Sequence, residues 1–165
     1  MDQLIVYLCR LARRRTGGAP ATVRDFGYLE KKEAADVLWG LGAARRALPF
    51  DGDDDAGGAL AATTALLDAV ADRCDGLRPR DVAACAWACA RLGEAEWRAQ
   101  ESSRAALRAL AAGVDAAFPP RDAAQTVAAF ASAGVDAPAV VDAALGAAAR
   151  GTARWALRDL SLIHI

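Results

Sequence analysis

Three segments of the chain share one pattern of apolar and polar positions, and each predicts a helix. Residues 31–45 read KKEAADVLWGLGAAR, residues 79–93 read PRDVAACAWACARLG and residues 120–134 read PRDAAQTVAAFASAG. Polar residues are concentrated at the start of each segment, and most of the remainder is apolar on nearly every side. A helix of this kind is covered by neighbours on several faces. The pattern therefore predicts three largely buried helices, which we call the first helices.

The three segments align as repeats. The alignment places Glu33 with Asp81 and Asp122, and these acids are separated by 48 and 41 residues. Amphipathic segments at roughly 56–74, 96–113 and 137–150 follow the first helices and predict a second helix for each unit. Unequal spacings near 40 residues are typical of helix-pair repeats whose loops differ in length.

Local signals support the bounds of these units. Pro79 and Pro120 suit the first position of a helix, where the missing N–H has no partner in any case. Asp81 and Asp122 then lie in the first turn, where a negative charge meets the positive end of the helix dipole. Gly134 stands where its helix should end, since glycine readily adopts positive φ.

The predicted fold class is all-α, an α-solenoid of two-helix repeats with about three units and a truncated fourth that starts at 157–160. We expect residues 1–28 to form an N-terminal helix and linker, either the end of a preceding repeat or a targeting segment. Residues 29–159 form the repeat domain. The final segment, 160–165, reads LSLIHI and matches the translation of a sequencing-library adapter, so we expect it to be non-native.

Composition limits the partners. Alanine accounts for 44 of the 165 residues, which favours closely packed helices. The formal net charge is −1, so no global attraction draws the chain to nucleic acid or to anionic membranes. RNA binding would therefore require the 18 arginines to be concentrated on one face. No apolar run is long enough to span a membrane.

The sequence contains no recognisable catalytic, metal or cofactor site. The four cysteines lack C-x-x-C spacing, and we expect reduced, buried thiols. The single histidine, His164, lies in the 160–165 segment. The acidic run 51–55 lacks the glycine and glutamate that an EF-hand loop requires at its later positions. The chain is therefore expected to bind a partner rather than to catalyse a reaction.

The four tryptophans are candidates for both packing and base stacking. Trp39 and Trp87 occupy one repeat position inside apolar helices, so core packing is the favoured interpretation. Trp97 and Trp155 lie beside arginines near helix starts. These two are weaker candidates for nucleotide contact, and packing between repeats is again favoured.

The segment 79–93 resembles a recurring pattern of octotricopeptide-repeat proteins, with similar segments in FAST-kinase-like mitochondrial proteins and in a repeat domain named after the RNA-editing substrate-binding complex. That pattern begins with Pro and an acid and runs through a Leu/Trp-Ala-rich helix to Leu-Gly. The resemblance covers most of residues 29–160. This chain departs from it at Lys31, Arg45 and Ala128, which replace Pro, Gly and an aromatic residue.

The resemblance implies a non-catalytic protein that binds single-stranded RNA, acting on chloroplast or mitochondrial transcripts in their maturation, stability or translation, with other RNA-processing proteins as further partners. By analogy with repeats that read one base with a few side chains, Asp36, Ala84 and Gln125 share one variable position and are candidates for base selection. The candidate phosphate contacts are Arg45, Arg91 and Arg121. The alternatives are ordinary solvated helix surface for any one of these residues, and a protein-interaction scaffold for the whole domain.

Overall fold

The computed structural model describes residues 30–44, 54–93, 97–115 and 117–151. Within these ranges the chain forms six α-helices and no β-strand, so the all-α prediction is confirmed. Five parts of the sequence interpretation lie outside the described residues: the N-terminal segment 1–28, Arg45, Trp155, the fourth repeat start at 157–160 and the terminal segment 160–165.

The helices follow one another in pairs, as the repeat alignment predicts. The first helices are α1 (Lys31–Ala44), α3 (Pro79–Gly93) and α5 (Pro120–Ser132). The second helices are α2 (Asp54–Ala71), α4 (Trp97–Ala111) and α6 (Pro138–Gly151). Their bounds agree with the predicted segments to within about three residues, because the start and stop signals are local in the sequence.

Helix α5 shows how those signals act. Pro120 is its first residue, and Asp122 lies in its first turn. After the helix ends, Gly134 adopts a φ of 62°. The N–H of Val135 then donates to the carbonyl oxygen of Phe130 at 3.0 Å, which satisfies a carbonyl that the helix leaves free. Phe130 and Val135 are both buried, and a pair of apolar side chains at these two positions is typical of this type of helix end.

The three first helices lie side by side in chain order, with α3 between α1 and α5. We call α1, α3 and α5 together the first-helix layer. Helix α2 packs on α4, and each first helix also packs on the second helix of its own pair. The central helix α3 thus contacts α1, α4 and α5.

A continuous cluster of buried apolar side chains, with members on all six helices, forms the core. It consists mainly of alanine, leucine and valine, and the small alanines permit close helix contacts. On α4, Leu107 and Leu110 are fully buried while Glu101 and Arg108 are exposed, which agrees with the amphipathic pattern of the segment 96–113. This packing leaves one side of the first-helix layer open to solvent.

Candidate nucleic-acid interface

One side of the first-helix layer carries repeat-equivalent side chains that face solvent. On α1, Lys32, Asp36, Trp39 and Ala43 are exposed at helical spacing, whereas Leu38 is fully buried on the opposite side. The equivalent positions of α3 and α5 are exposed or half-buried, and they are Arg80, Ala84, Trp87, Arg91, Arg121, Gln125, Ala128 and Ser132. We call this side of the layer the outer row.

The outer row contains a group of two tryptophans and an arginine. The ring centroids of Trp39 and Trp87 lie 6.4 Å apart, and the two planes are inclined by 34°. The guanidinium carbon of Arg91 lies 5.2 Å from the centroid of the Trp87 ring, within the range of a cation–π contact. We call Trp39, Trp87 and Arg91 the aromatic cluster. Trp87 is half-buried, but Trp39 is 50% exposed, so its indole is available to a ligand.

The aromatic cluster lies beside a close contact between α1 and α3. At Gly42, an added Cβ would lie 2.9 Å from the Cα atom of Ala88 and 3.4 Å from Cζ3 of Trp87. The Nε–H of Arg91 donates to the carbonyl oxygen of Gly42 at 3.3 Å. Arg91 therefore contacts both the backbone of α1 and the ring of Trp87, and it joins the first two repeat units.

Gln125, one of the predicted base-selecting residues, also joins two units. Its Nε2 group donates to the carbonyl oxygen of Ala83 on α3 at 3.5 Å, the outer limit of a hydrogen bond. Asp36 is exposed and pairs with Lys32 one turn earlier in α1. Asp36 is therefore the more accessible of these two side chains to a ligand.

Arg121 is exposed at the start of α5. Burial raises the pKa of the neighbouring Asp122 carboxyl, while the charges of Arg121 and Arg80 oppose that rise and Asp81 adds to it. Arg80 and Arg121 therefore both lie close enough to Asp122 to act on its carboxyl group. The structure brings Asp36, Arg91 and Arg121 to one side of the molecule, and Arg45 lies outside the described residues.

The charge of the first-helix layer is close to balanced. Its described helices carry five basic side chains and four acidic ones. Arginine also occurs on α4, where Arg108 is exposed and Arg104 lies 3.7 Å from a carboxylate oxygen of Glu101. Within the described ranges, arginine is thus not confined to one face. Any binding of RNA to the outer row must depend on individual contacts rather than on a strongly basic surface.

The sequence interpretation of Trp39 as a core residue is wrong, and that of Trp87 is partly right. Trp87 packs against the core, but half of Trp39 faces solvent. The repeat alignment treated the two as equivalent, although α3 has neighbours on both sides and α1 has a described first-helix neighbour only at α3. A signal was present, since Trp39 follows Asp36 by three residues and Lys32 by seven, which places it on the polar stripe of α1.

The described part of the chain also bears on the presence of metal sites, reactive thiols and membrane-spanning helices. It contains no group of three or more His, Cys, Asp or Glu residues that would hold a metal ion. Cys74, Cys85 and Cys89 are free, buried thiols. Burial raises the pKa of Cys85 to about 12 and raises that of Cys89 well above its ordinary value, so neither thiol is a ready nucleophile or metal ligand. No described helix combines the length and apolarity needed to cross a bilayer.

The fold and the outer row together define an all-helical, repeat-like protein with an aromatic and cationic surface group. Comparisons of the chain with protein-family models, with curated proteins and with solved structures find no match.

Proposed function

We propose that this chain is a non-catalytic helical-repeat protein of the α-solenoid type that binds single-stranded RNA. The packing of α1, α3 and α5 in chain order, with each first helix against its own second helix, supports a solenoid of about three units. A fourth repeat start at 157–160 belongs to the same proposal and rests on the sequence pattern alone.

The aromatic cluster is the observation that carries the RNA proposal. An exposed indole beside a guanidinium group suits an unpaired nucleotide, since the base stacks on the aromatic ring and the cation attracts the phosphate. Trp39 supplies the accessible ring, and Arg91 supplies a cation over the neighbouring Trp87 ring, whose centroid lies 6.4 Å from that of Trp39. Arg80 and Arg121, exposed on the same outer row, are candidates for further phosphate contacts. A double helix does not offer an unstacked base to such a ring.

The biological setting comes from the resemblance to octotricopeptide-repeat and related proteins. It implies transcripts of the chloroplast or mitochondrion as targets and other RNA-processing proteins as partners. Expression of a fluorescent fusion in cells tests the compartment, and cytosolic fluorescence would count against it.

Binding of the full chain to an unstructured single-stranded RNA pool, followed by fluorescence anisotropy across a salt series, tests the function. Contacts of Arg80, Arg91 and Arg121 with phosphates predict a slope of log affinity against log salt of about −2, since each contact with a single strand contributes roughly −0.7. Arg80→Gln should reduce the steepness by about 0.7. Arg108→Gln, which removes an exposed cation from α4, serves as the matched control and should leave the slope unchanged.

A protein-interaction scaffold is the second candidate, and the exposed apolar residues of α6 favour it. Val141 is 46% exposed and Leu145 is 63% exposed, and the two share one face of the helix at i, i+4. A folded, helical sample that binds neither single-stranded nor duplex RNA at low salt would favour this alternative over the RNA proposal.

A further inference from the structure

The geometry of the aromatic cluster limits how many bases it would accept. The centroid separation of 6.4 Å between Trp39 and Trp87 lies within the range of rings in direct contact, roughly 4.5–7 Å. Because the planes are inclined by 34°, the two rings do not form the parallel slot that an inserted base requires. Arg91 already covers part of the Trp87 ring. The available stacking surface is therefore that of Trp39, and it has room for one base.

The residue placed to contact the edge of that base is Asp36. It lies three residues before Trp39 on the same exposed stripe of α1, so the two side chains are neighbours on the helix surface. Its ion pair with Lys32 uses Oδ2. Both carboxylate oxygens retain lone pairs, because each oxygen accepts two hydrogen bonds. Asp36 is thus an acceptor of N–H groups at the rim of the stacking surface.

A carboxylate beside an exposed aromatic ring favours guanine over the other three bases. A carboxylate only accepts hydrogen bonds, and two adjacent donors match its two oxygens. Guanine alone presents two such donors on its Watson–Crick edge, the ring N1–H and the exocyclic N2 amino group. The larger purine ring also overlaps an indole more fully than a pyrimidine does.

We infer that Trp39 and Asp36 together form a subsite for one unpaired guanine, with Trp87 as a positioning residue that supports the Trp39 ring. The inference rests on the proposed RNA binding and adds a base preference to it. Ala128 stands at the tryptophan position in α5, so the third repeat unit has no equivalent platform.

The test uses fluorescein-labelled oligouridine of about 12 nucleotides that carries one central guanine, adenine or uracil, with affinities measured by anisotropy on the full chain. The guanine probe should bind about five- to tenfold more tightly than the adenine probe, the lower end of the discrimination expected for a bidentate contact. A second guanine placed next to the first should add little, since the platform has room for one base.

Variants separate the hydrogen bonding of Asp36 from the base stacking of Trp39. Asp36→Asn should abolish or reverse the preference for guanine over adenine, because a carboxamide offers one acceptor and one donor, whereas Asp142→Asn, a matched exposed change on α6, should leave the preference intact. Trp39→Ala should weaken binding of both purine probes by about fivefold or more, and Trp39→Phe should restore most of that loss. Circular dichroism of each variant checks that the helices remain folded.

The outcomes are distinct. Equal binding of the three probes, or a guanine preference that survives Asp36→Asn, overturns the guanine subsite while the RNA proposal stands. Purine binding that is unchanged in folded Trp39→Ala also overturns it. A folded chain that binds none of the RNA probes contradicts the proposed function itself.

Discussion

Gly42 lies at a close contact between the backbones of α1 and α3. A methyl group there would lie 2.9 Å from Cα and 3.0 Å from Cβ of Ala88, which is closer than carbon atoms pack without a shift. Because Cα of Ala88 belongs to the backbone of a central helix, α1 itself would have to move. That movement would also displace the carbonyl oxygen of Gly42 from Arg91 and disturb the support of the aromatic cluster.

We therefore expect Gly42→Ala to lower the free energy of unfolding by about 1–3 kcal/mol, the usual cost of overpacking. Gly40→Ala is the matched control two residues earlier in α1, where an added Cβ meets no atom within 4 Å. It should raise stability by about 0.5–1 kcal/mol through helix propensity. Urea unfolding followed by circular dichroism measures both, and a stabilising Gly42→Ala would contradict the close contact.

At the scale of the element, α3 is the central helix, and other helices enclose it on three sides. It packs against α1, α4 and α5, and its Cys85 and Cys89 side chains are fully buried. The pKa of Cys85 is raised to about 12, mainly by burial and in smaller part by the charges of Asp81 and Asp36. The folded helix consequently keeps thiols protonated at pH values at which an exposed cysteine ionises.

This difference predicts a loss of stability in alkali. Below about pH 8.5 the thiols are protonated in both the folded and the unfolded chain, so they cause no pH dependence. Above that pH the unfolded chain loses the proton and the folded chain does not. Unfolding is then favoured by about 1.4 kcal/mol per pH unit for each such thiol until the pH approaches the raised folded value.

The comparison that isolates the effect is wild type against Cys85→Ala, with urea unfolding measured at several pH values from about 7.5 to about 10.5. The variant should show the shallower decline, because other groups titrate equally in both proteins. Parallel declines would mean that Cys85 is ionisable in the folded state.

At the scale of the whole molecule, the buried cluster is continuous from α1 to α6. Each helix shares core contacts with at least one neighbour, so the loss of one helix exposes the apolar surface of the next. A core of this kind in a chain of 165 residues favours cooperative unfolding.

We expect a single transition in which helicity and tryptophan fluorescence change together. Leu107→Ala, at a fully buried position of α4, should shift both signals equally and cost about 2–5 kcal/mol. Leu145→Ala is its control on α6, where the side chain is 63% exposed and the cost should be below about 1 kcal/mol. A fluorescence transition that separates from the helical one after Leu107→Ala would show that the helix pairs unfold independently.

The sequence by itself determined the helices and their pairing into repeats. Pro79, Pro120 and Gly134 set helix ends through backbone geometry, and the amphipathic pattern of the segment 96–113 marked the buried face of α4. These signals act within a few residues along the chain, so they are readable without knowledge of the neighbours. RNA as the partner was an expectation from the resemblance, and it stays a proposal that the aromatic cluster supports.

Only the tertiary structure decided which repeat positions reach solvent and which join neighbouring units. Trp39 and Trp87 are equivalent in the alignment, yet one is exposed and the other packs against the core. Arg91 and Gln125 each bond to the backbone of the preceding first helix, at partners 49 and 42 residues away in the chain. Such contacts depend on how closely two helices approach, and that distance cannot be read from a pattern of residues within one helix.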